Sequence, residues 1–565
     1  MILLYFIHPI PLQGLNVDLG HHLLFGKIMI AGQKILDTNL VSYTHPDFHF
    51  VNSQWLSQVV IYLWHNLFGF NGLIILSSFL FLTAFLLIFL YSAKENFNSS
   101  LLVSVFYIQL IIDRTEVKPE IFSWLFMSVF LLILYKFRKS YTKLIFILIP
   151  LQILWINFHI FYFVGNVLLL LFLTEEFIIR HDIKSEKFKT LLVVNLFSGL
   201  GLLINPWFFR GAAYPLYVLN DYGYKVIENL NFFTAFSLHR DITFYYYIFC
   251  LIVLWIGILK YRKKLSVVNI MLSAFFTFMS LYAVRNIPMF VFGTFISMTG
   301  IVRNAVGSFS KKSMQIIFFT ALLTVIPAIR WNFEVHGFGF GVIDAAQESV
   351  DFIKNNHLTG PIYNNYNIGN YLEYRIYPWQ QVFVDGNPEE YPGEFFSKIY
   401  YPMEQSFTNF TSVSDKYNFN LVYYDHVNQA ADTNPILSGL MKSPDWKLVY
   451  INNRIVIFIK NIPKNKIVID NFEISQDSLV INSSYLSDKN TLRDLSNLFR
   501  VFGWYQRMYD MDMEYLKYDP ENCVALRHVV AVMKSQGHPL QKEYSQKFIS
   551  RCSPSVPGPS QKVPQ

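Results

Sequence analysis

Between residues 13 and 70 the chain carries Asp18, His21, His22, His45, Asp47 and His49, all able to move protons or bind metal, although only 15% of its residues are charged. If the segment after residue 13 is helical, Asp18 and His22 share a face. A carboxylate placed there can deprotonate an acceptor hydroxyl or hold a divalent cation, and the neighbouring imidazole can stabilise a phosphate leaving group. The plain alternative is an interfacial polar loop reaching to water.

Further groups recur in short turns. IIDRTEVKPEIF crowds Asp113, Arg114, Glu116, Lys118 and Glu120 between two apolar runs. Charges so close to hydrocarbon must pair, face a cavity or sit in a tight turn. Arg114 and Lys118, four apart, form a cationic face suited to phosphate. LWINFHIFYF adds Asn157 and His159, INPW adds Asn205, and LYAVRNIPMF adds Arg285, which either binds an anion or snorkels to water. Cys250, Cys523 and Cys552 show no metal-binding spacing, and Cys523 and Cys552 can pair only in an oxidising compartment.

The elements that must position these groups are membrane helices. At 565 residues, 53% hydrophobic and 18% aromatic with 55 Phe and 35 Tyr, the composition is that of a polytopic membrane protein. Apolar runs near residues 1–12, 71–92, 99–112, 119–136, 143–157, 160–178, 189–205, 242–260, 267–284, 287–303 and 313–330 predict about eleven spans. The run at 1–12 is too short and lacks the basic start of a signal peptide, and is read as a first span.

The net charge of +7 does not indicate nucleic acid, because the basic residues fall in clusters at every second loop. Lys136 to Lys139, Arg180 to Lys189, Lys260 to Lys264 and Lys311-Lys312 mark the cytoplasmic side. Counting from them puts the N-terminus inside. The 13–70 loop, the polar turns above, the 206–241 loop and everything after 330 fall outside. Asp18, His22, Arg114, Lys118, Glu120, Asn157, His159, Asn205 and Arg285 therefore share one leaflet, which predicts a single extracytoplasmic cavity fit for a lipid-linked phosphate.

After residue 330 the texture changes. GPIYNNY, QQVFVDG, FNLVYYD, WKLVYIN and RIVIFIK read as strands among helices, predicting an α/β domain over 336–461. Residues 462–490 read as a linker, 491–551 as a helical tail resembling one degenerate tetratricopeptide-type hairpin, and 552–565 as a disordered end. The transmembrane part spans 1–330.

The stretches DLGHHLLFGKIMIAGQKILDTNLVSYT and FVNSQWLSQVVIYLWHNLFGFNGL, with DRTEVKPE, LWINFH, INPW, AVRNIPMF and FVDGNPEEY, resemble a largely uncharacterised group of bacterial polytopic proteins related to the GT-C glycosyltransferases. The resemblance covers most of residues 16–400. It implies a GT-C-like helical body in the bacterial cytoplasmic membrane and transfer of a sugar from a polyprenyl-phosphate carrier to a glycan, lipid or protein acceptor. The acidic residue of the first outer loop is matched by Asp18, with His22 and Glu120 beside it as catalytic candidates. Phosphate-holding cations are matched most plausibly by Arg114, Lys118 or Arg285, with Asn157, His159 and Asp385 as further substrate contacts.

The chain departs from these relatives in having His21-His22 for Trp-His, Lys118-Pro119-Glu120 for Arg-Pro-Glu, and Asp385-Gly386-Asn387 for Asp-Gly-Arg. No second acid forms an Asp-x-Asp pair with Asp18, so the need for a divalent metal is left open. The alternative function is a non-catalytic membrane scaffold for envelope glycan assembly. A transporter would want charges or helix breaks at mid-span, and the apolar runs offer few.

Overall fold

The computed structural model describes residues 6–12, 18–111, 114–218, 223–224, 226–238, 240–306, 311–427 and 434–552. Asp113 lies outside them, as does all of the expected disordered end except Cys552. Contacts divide the chain into two compact units. One comprises Met1–Leu40, His45–Ile343 and Asn387–Gly393, and the other Val41–Thr44, Asp344–Gly386 and Glu394–Gln565.

The first unit is a helical body. Its principal helices are α1 (Leu19–Gly32), α2 (Trp55–Ala93), α3 (Phe97–Gln109), α4 (Glu120–Lys139), α5 (Leu148–Phe158), α6 (Phe163–Arg180), α7 (Glu186–Gly201), α8 (Ile242–Tyr261), α9 (Val267–Tyr282), α10 (Ile287–Val306) and α11 (Lys311–His336). Six helices among the described residues are long and apolar enough to cross a membrane: Trp55–Ala93, Glu120–Lys139, Ile160–Arg180, Ile242–Lys264, Val284–Val306 and Gln315–Glu334. Lys143–Phe158 and Val267–Tyr282 are shorter apolar helices. Helices suit these sequences because a bilayer offers no water to backbone groups, which must bond within the segment.

Helix α4 lies at the heart of this body. Pro119 precedes it with φ −55°, already set for a helical start, and Glu120 opens it beside the positive end of the helix dipole. Lys136, Arg138 and Lys139 close it at the negative end. Between them Trp124 is fully buried against Phe81 and Phe292, with ring centroids 5.8 and 6.0 Å away. Phe126 stacks on the equally buried Trp155 at 5.6 Å. The high Phe content is thus spent on aromatic packing between helices.

Two features depart from the sequence reading. The expected first span is not formed in its described part. Pro9 and Pro11 disfavour a helix, and Ile10–Pro11 (β1) instead pairs in parallel with Val342–Ile343 (β2). Ile10 and Leu12 donate to Gly341 and Ile343 at 3.0 Å each, so the missing N–H of Pro11 falls where no donor is needed. The expected 13–70 loop, in turn, contains all of α1 and the first stretch of α2.

Helix α2 is 39 residues long, roughly 58 Å at helical rise and about twice the hydrocarbon thickness. Gly69 resolves the excess: at φ 64° and ψ −167° it breaks the helix ahead of the span expected from residue 71. That conformation belongs almost solely to glycine. A Cβ there would meet nothing within 4 Å, so Gly69→Ala incurs backbone strain alone. It is expected to destabilise the protein by about 1–3 kcal/mol. An unchanged melting midpoint in detergent would contradict this.

The second unit is built on a four-stranded mixed sheet of order β3-β4-β6-β5: β3 (Ile362–Asn364), β4 (Leu421–Asp425), β5 (Trp446–Ile451) and β6 (Ile455–Lys460). β3 and β4 run parallel, and the other two pairings are antiparallel. QQVFVDG supplies no ladder strand and contributes an isolated bridge from Val382 to Ser42. Towards the C-terminus, Lys489–Phe502 and Tyr505–Tyr515 are followed by Cys523–Gln536 and Gln541–Arg551. Asp488 and Asn522 cap the first and third of these helices, and a Cys523–Cys552 disulfide ties the last pair. The region expected as a linker holds the short helix Lys466–Phe472.

Candidate functional site

A network of charges gathers at the N-terminal end of α4, within the first unit. Arg114 Nη1 lies 2.8 Å from Glu228 Oε2 and 3.8 Å from Glu120 Oε1. Lys118 Nζ lies 3.2 Å from Glu228 Oε1, 3.0 Å from Glu116 and 3.7 Å from Asp18 Oδ2. The Lys118 side chain is only 10% exposed and that of Glu228 14%. Arg285 Nη1 donates to Asn229 Oδ1 at 3.0 Å, its guanidinium 5.8 Å from the Phe161 ring.

Three separate segments position Asp18, Arg114, Lys118 and Glu228. The turn before α4 offers Arg114, Glu116 and Lys118 from one short stretch, Asp18 precedes the first turn of α1, and the single turn Ile227–Asn229 brings Glu228 and Asn229. Val284 N bonds to Leu230 O at 3.0 Å, which fixes that turn beside Arg285. His8 Nε2, 3.0 Å from Thr115 Oγ1, ties the segment around β1 to the same stretch.

Electrostatics separate the roles. Burial pushes the Asp18 carboxyl up to about 6; Lys118 opposes the rise, while Glu228 and Glu116 add to it. Burial by itself would lower the Lys118 ammonium, but Glu116, Glu228 and Asp18 outweigh it and hold the group above the usual lysine range. Burial would likewise raise Glu228, yet Arg114 and Lys118 pull it well below the ordinary carboxylate range. Glu228 is therefore a fixed anion and Asp18 a carboxylate poised near neutrality.

Asp18, Glu116 and Lys118 line a narrow cleft together with the apolar side chains of Phe6, Ile10 and Ile74. His22 is buried beside this region, and its Nδ1 finds no partner among the described residues. Burial, then the charge of Lys118, pushes its pKa down to about 3. The ring is neutral at physiological pH, so its contribution is a hydrogen bond and not a proton.

His159 is also buried. Its Nδ1 accepts from Phe161 N at 3.4 Å and lies 3.0 Å from Ser123 Oγ, which itself accepts from Trp155 Nε1 at 2.8 Å. That pattern makes the Ser123 hydroxyl the donor to Nδ1 and assigns the ring proton to Nε2. Burial, followed by the charge of Arg285, keeps this imidazole neutral.

The structure thus brings together Asp18, Arg114, Lys118 and Glu120, with His22, His159 and Arg285 within electrostatic reach. Asn157 has a structural task instead. Its Oδ1 accepts from Trp55 Nε1 at 2.9 Å, and its Nδ2 donates to Ile153 O and Ile204 O, which leaves no donor for a substrate. Asn205 likewise braces its own turn through Leu202 O, Phe208 O and Trp207 N. Asp385 is buried in the second unit. His21 pairs with Glu390 at 3.3 Å, both fully buried, and His49 is exposed, 3.9 Å from Asp37.

Sequence reasoning missed Glu228. The signal was one of balance: Arg114, Lys118 and Arg285 need a counter-charge, and Glu228 is one of three acids in the 206–241 stretch, with Asp221 and Asp241. Among the described residues no three His, Cys, Asp or Glu side chains group as a metal site.

Neither the protein-family models nor the curated proteins compared with this sequence give a match. Among solved structures, the chain is similar to the archaeal oligosaccharyltransferase AglB from Archaeoglobus fulgidus, determined with an inhibitory peptide and a dolichol-phosphate. The TM-score is 0.53 at 10% sequence identity, over 89% of this chain and 82% of the other. The chain therefore has a GT-C-like fold, a mostly helical body with several membrane-grade helices and a small sheet domain.

Proposed function

We propose that the protein is a bacterial cytoplasmic-membrane glycosyltransferase that moves a sugar from a polyprenyl-phosphate donor to an extracytoplasmic glycan, lipid or protein. The observation that carries this reading is the cleft at Asp18, lined by both charged and apolar side chains, within a fold shared with an enzyme solved with a dolichol-phosphate. Such a cleft matches a lipid phosphate, whose head group and tail demand opposite surroundings. Its walls must part to admit one, because the present gap is narrow.

In the proposed reaction the acceptor oxygen or nitrogen attacks the anomeric carbon and gives its proton to the Asp18 carboxylate. The bond from the anomeric carbon to the phosphate oxygen breaks, and its electron pair leaves with the polyprenyl phosphate. Lys118 orients Asp18 at 3.7 Å. Arg285 is the cation best placed to meet the leaving phosphate, since its Nε has no partner among the described residues. Arg114 and Lys118 are held by Glu228 and act mainly as its partners and as positioning groups.

The far-side location is supported by the charge pattern of the loops and by the Cys523–Cys552 disulfide, which suits an oxidising compartment. Asp18→Asn and Arg285→Ala variants, inserted at normal levels, are expected to abolish one glycan product of the producing cell. Unchanged glycans in both variants would refute the enzyme reading.

The neutralisation of Arg114 and Lys118 by Glu228 favours a second reading, a non-catalytic assembly protein for envelope glycans. In that case the same variants would leave glycan chemistry intact and alter only complex formation.

A further inference from the structure

At the opposite end of α4, about 30 Å from Glu120 at helical rise, the first unit gathers Arg138, Lys139, Lys263, Lys264 and Arg303 around one cavity of about 380 Å³. Clustering of bases at this end follows from membrane orientation alone. A hollow of ligand size does not.

The five cations are not equivalent. Arg138 is clamped by the buried Glu175, Nε to Oε2 at 2.6 Å and Nη2 to Oε1 at 3.3 Å, and Glu175 also accepts from Val268 N at 3.0 Å. Lys139 and Arg303 share Glu95 at 2.5 and 3.2 Å. Lys263 and Lys264 face no carboxylate within ion-pair distance among the described residues, so the cavity keeps a surplus of positive charge.

A second observation is independent of the charges. Thr299 lines the same cavity and is 2% exposed, and its Oγ1 has no hydrogen-bond partner among the described residues. A buried hydroxyl without a partner is costly and points to a missing acceptor or donor. Ser92 and Ser266 add hydroxyls to the wall, and Tyr135 OH is fixed on Asn269 Oδ1 at 2.6 Å.

We propose that this cavity binds a phosphate-type oxyanion, with Lys263 and Lys264 supplying the uncommitted charge and Thr299 a hydroxyl. Basic hollows between membrane helices take phospholipid head groups in this manner, and a free soluble phosphate offers the same chemistry. The site is distinct from the Asp18 cleft and stands whether or not the protein is a transferase.

The test uses the full-length protein. In one arm, inorganic phosphate is titrated into detergent-solubilised protein against sodium chloride of equal ionic strength, with the melting midpoint as readout. In the other, nanodiscs of phosphatidylglycerol are compared with nanodiscs of phosphatidylcholine. Stabilisation in the first arm identifies a soluble phosphate, and stabilisation in the second alone identifies a lipid head group. The Lys263→Gln/Lys264→Gln variant is expected to weaken the response at least tenfold in apparent affinity. Thr299→Val, which keeps all charge and shape, is expected to weaken it about fivefold and serves if the double variant does not fold. No response in either arm, or a response that survives both variants, overturns the proposal.

Discussion

Glu228→Gln is expected to destabilise the protein by about 3–5 kcal/mol at neutral pH, the usual consequence of removing one partner from a buried ion pair. The substitution keeps the shape of the side chain and removes only its charge. Arg114, 2.8 Å away, and Lys118, 3.2 Å away, would then share a mostly buried site in which Arg114 keeps only Glu120, at 3.8 Å, and Lys118 keeps Glu116, at 3.0 Å, and Asp18, at 3.7 Å.

The pH dependence carries the same signature. The Glu228 carboxylate is held well below its ordinary range, so its stabilising effect is full above the unfolded value of about 4.5 and is lost as pH falls through the folded value. The wild-type protein should therefore lose stability on acidification below about pH 4.5. The variant should show a shallower loss from a lower starting point. Melting midpoints in detergent between pH 3.5 and 7.5 decide the matter, and a variant that melts with the wild type at pH 7.5 would sink the claim.

The second large effect falls on activity. In the proposed reaction, Asp18→Asn is expected to lower sugar transfer by about 10²–10⁴-fold, the range for removing a positioned base. With its carboxyl raised to about 6, the wild-type rate should fall about tenfold per pH unit below that value and level off above it.

Stability should move the other way. The folded-state carboxyl titrates above its unfolded value of 3.8, so the contribution of Asp18 is most favourable below pH 3.8 and is lost as pH rises through about 6. Asn carries no such charge, and the variant should be at least as stable as the wild type at pH 7.5. A wild-type rate that is flat from pH 5 to 8, or a variant that fails by unfolding, would remove Asp18 from the proposed chemistry.

Much of this site was legible because charges beside hydrocarbon are expensive and must find one another. Asp18 and the Arg114, Lys118 and Glu120 of DRTEVKPE were identifiable on that ground. Glu228 was harder to see because the 206–241 stretch lacks a clear period and its pairing depends on a single turn, Ile227–Asn229.

Asn157 misled because an amide beside a polar turn looks the same whether it meets a ligand or Trp55 and two carbonyls. The run at 1–12 misled because hydropathy outweighed Pro9 and Pro11, whose restricted backbone favours an extended path. The break at Gly69 was not read either, since a lone glycine in an apolar run carries no mark of its φ.

Helix α4 has one further consequence. It is tethered at both tips, by Arg114 to Glu120 at 3.8 Å and by Arg138 to Glu175 at 2.6 Å. A rod braced at each tip leans less readily against its neighbours, so more of a thickness mismatch falls on the acyl chains around it, which stretch or compress. Reconstituted in phosphatidylcholines of graded chain length, the protein should resist heat best at one thickness and less well on either side. In this sense the two ion pairs make the helix a ruler for the membrane it inhabits.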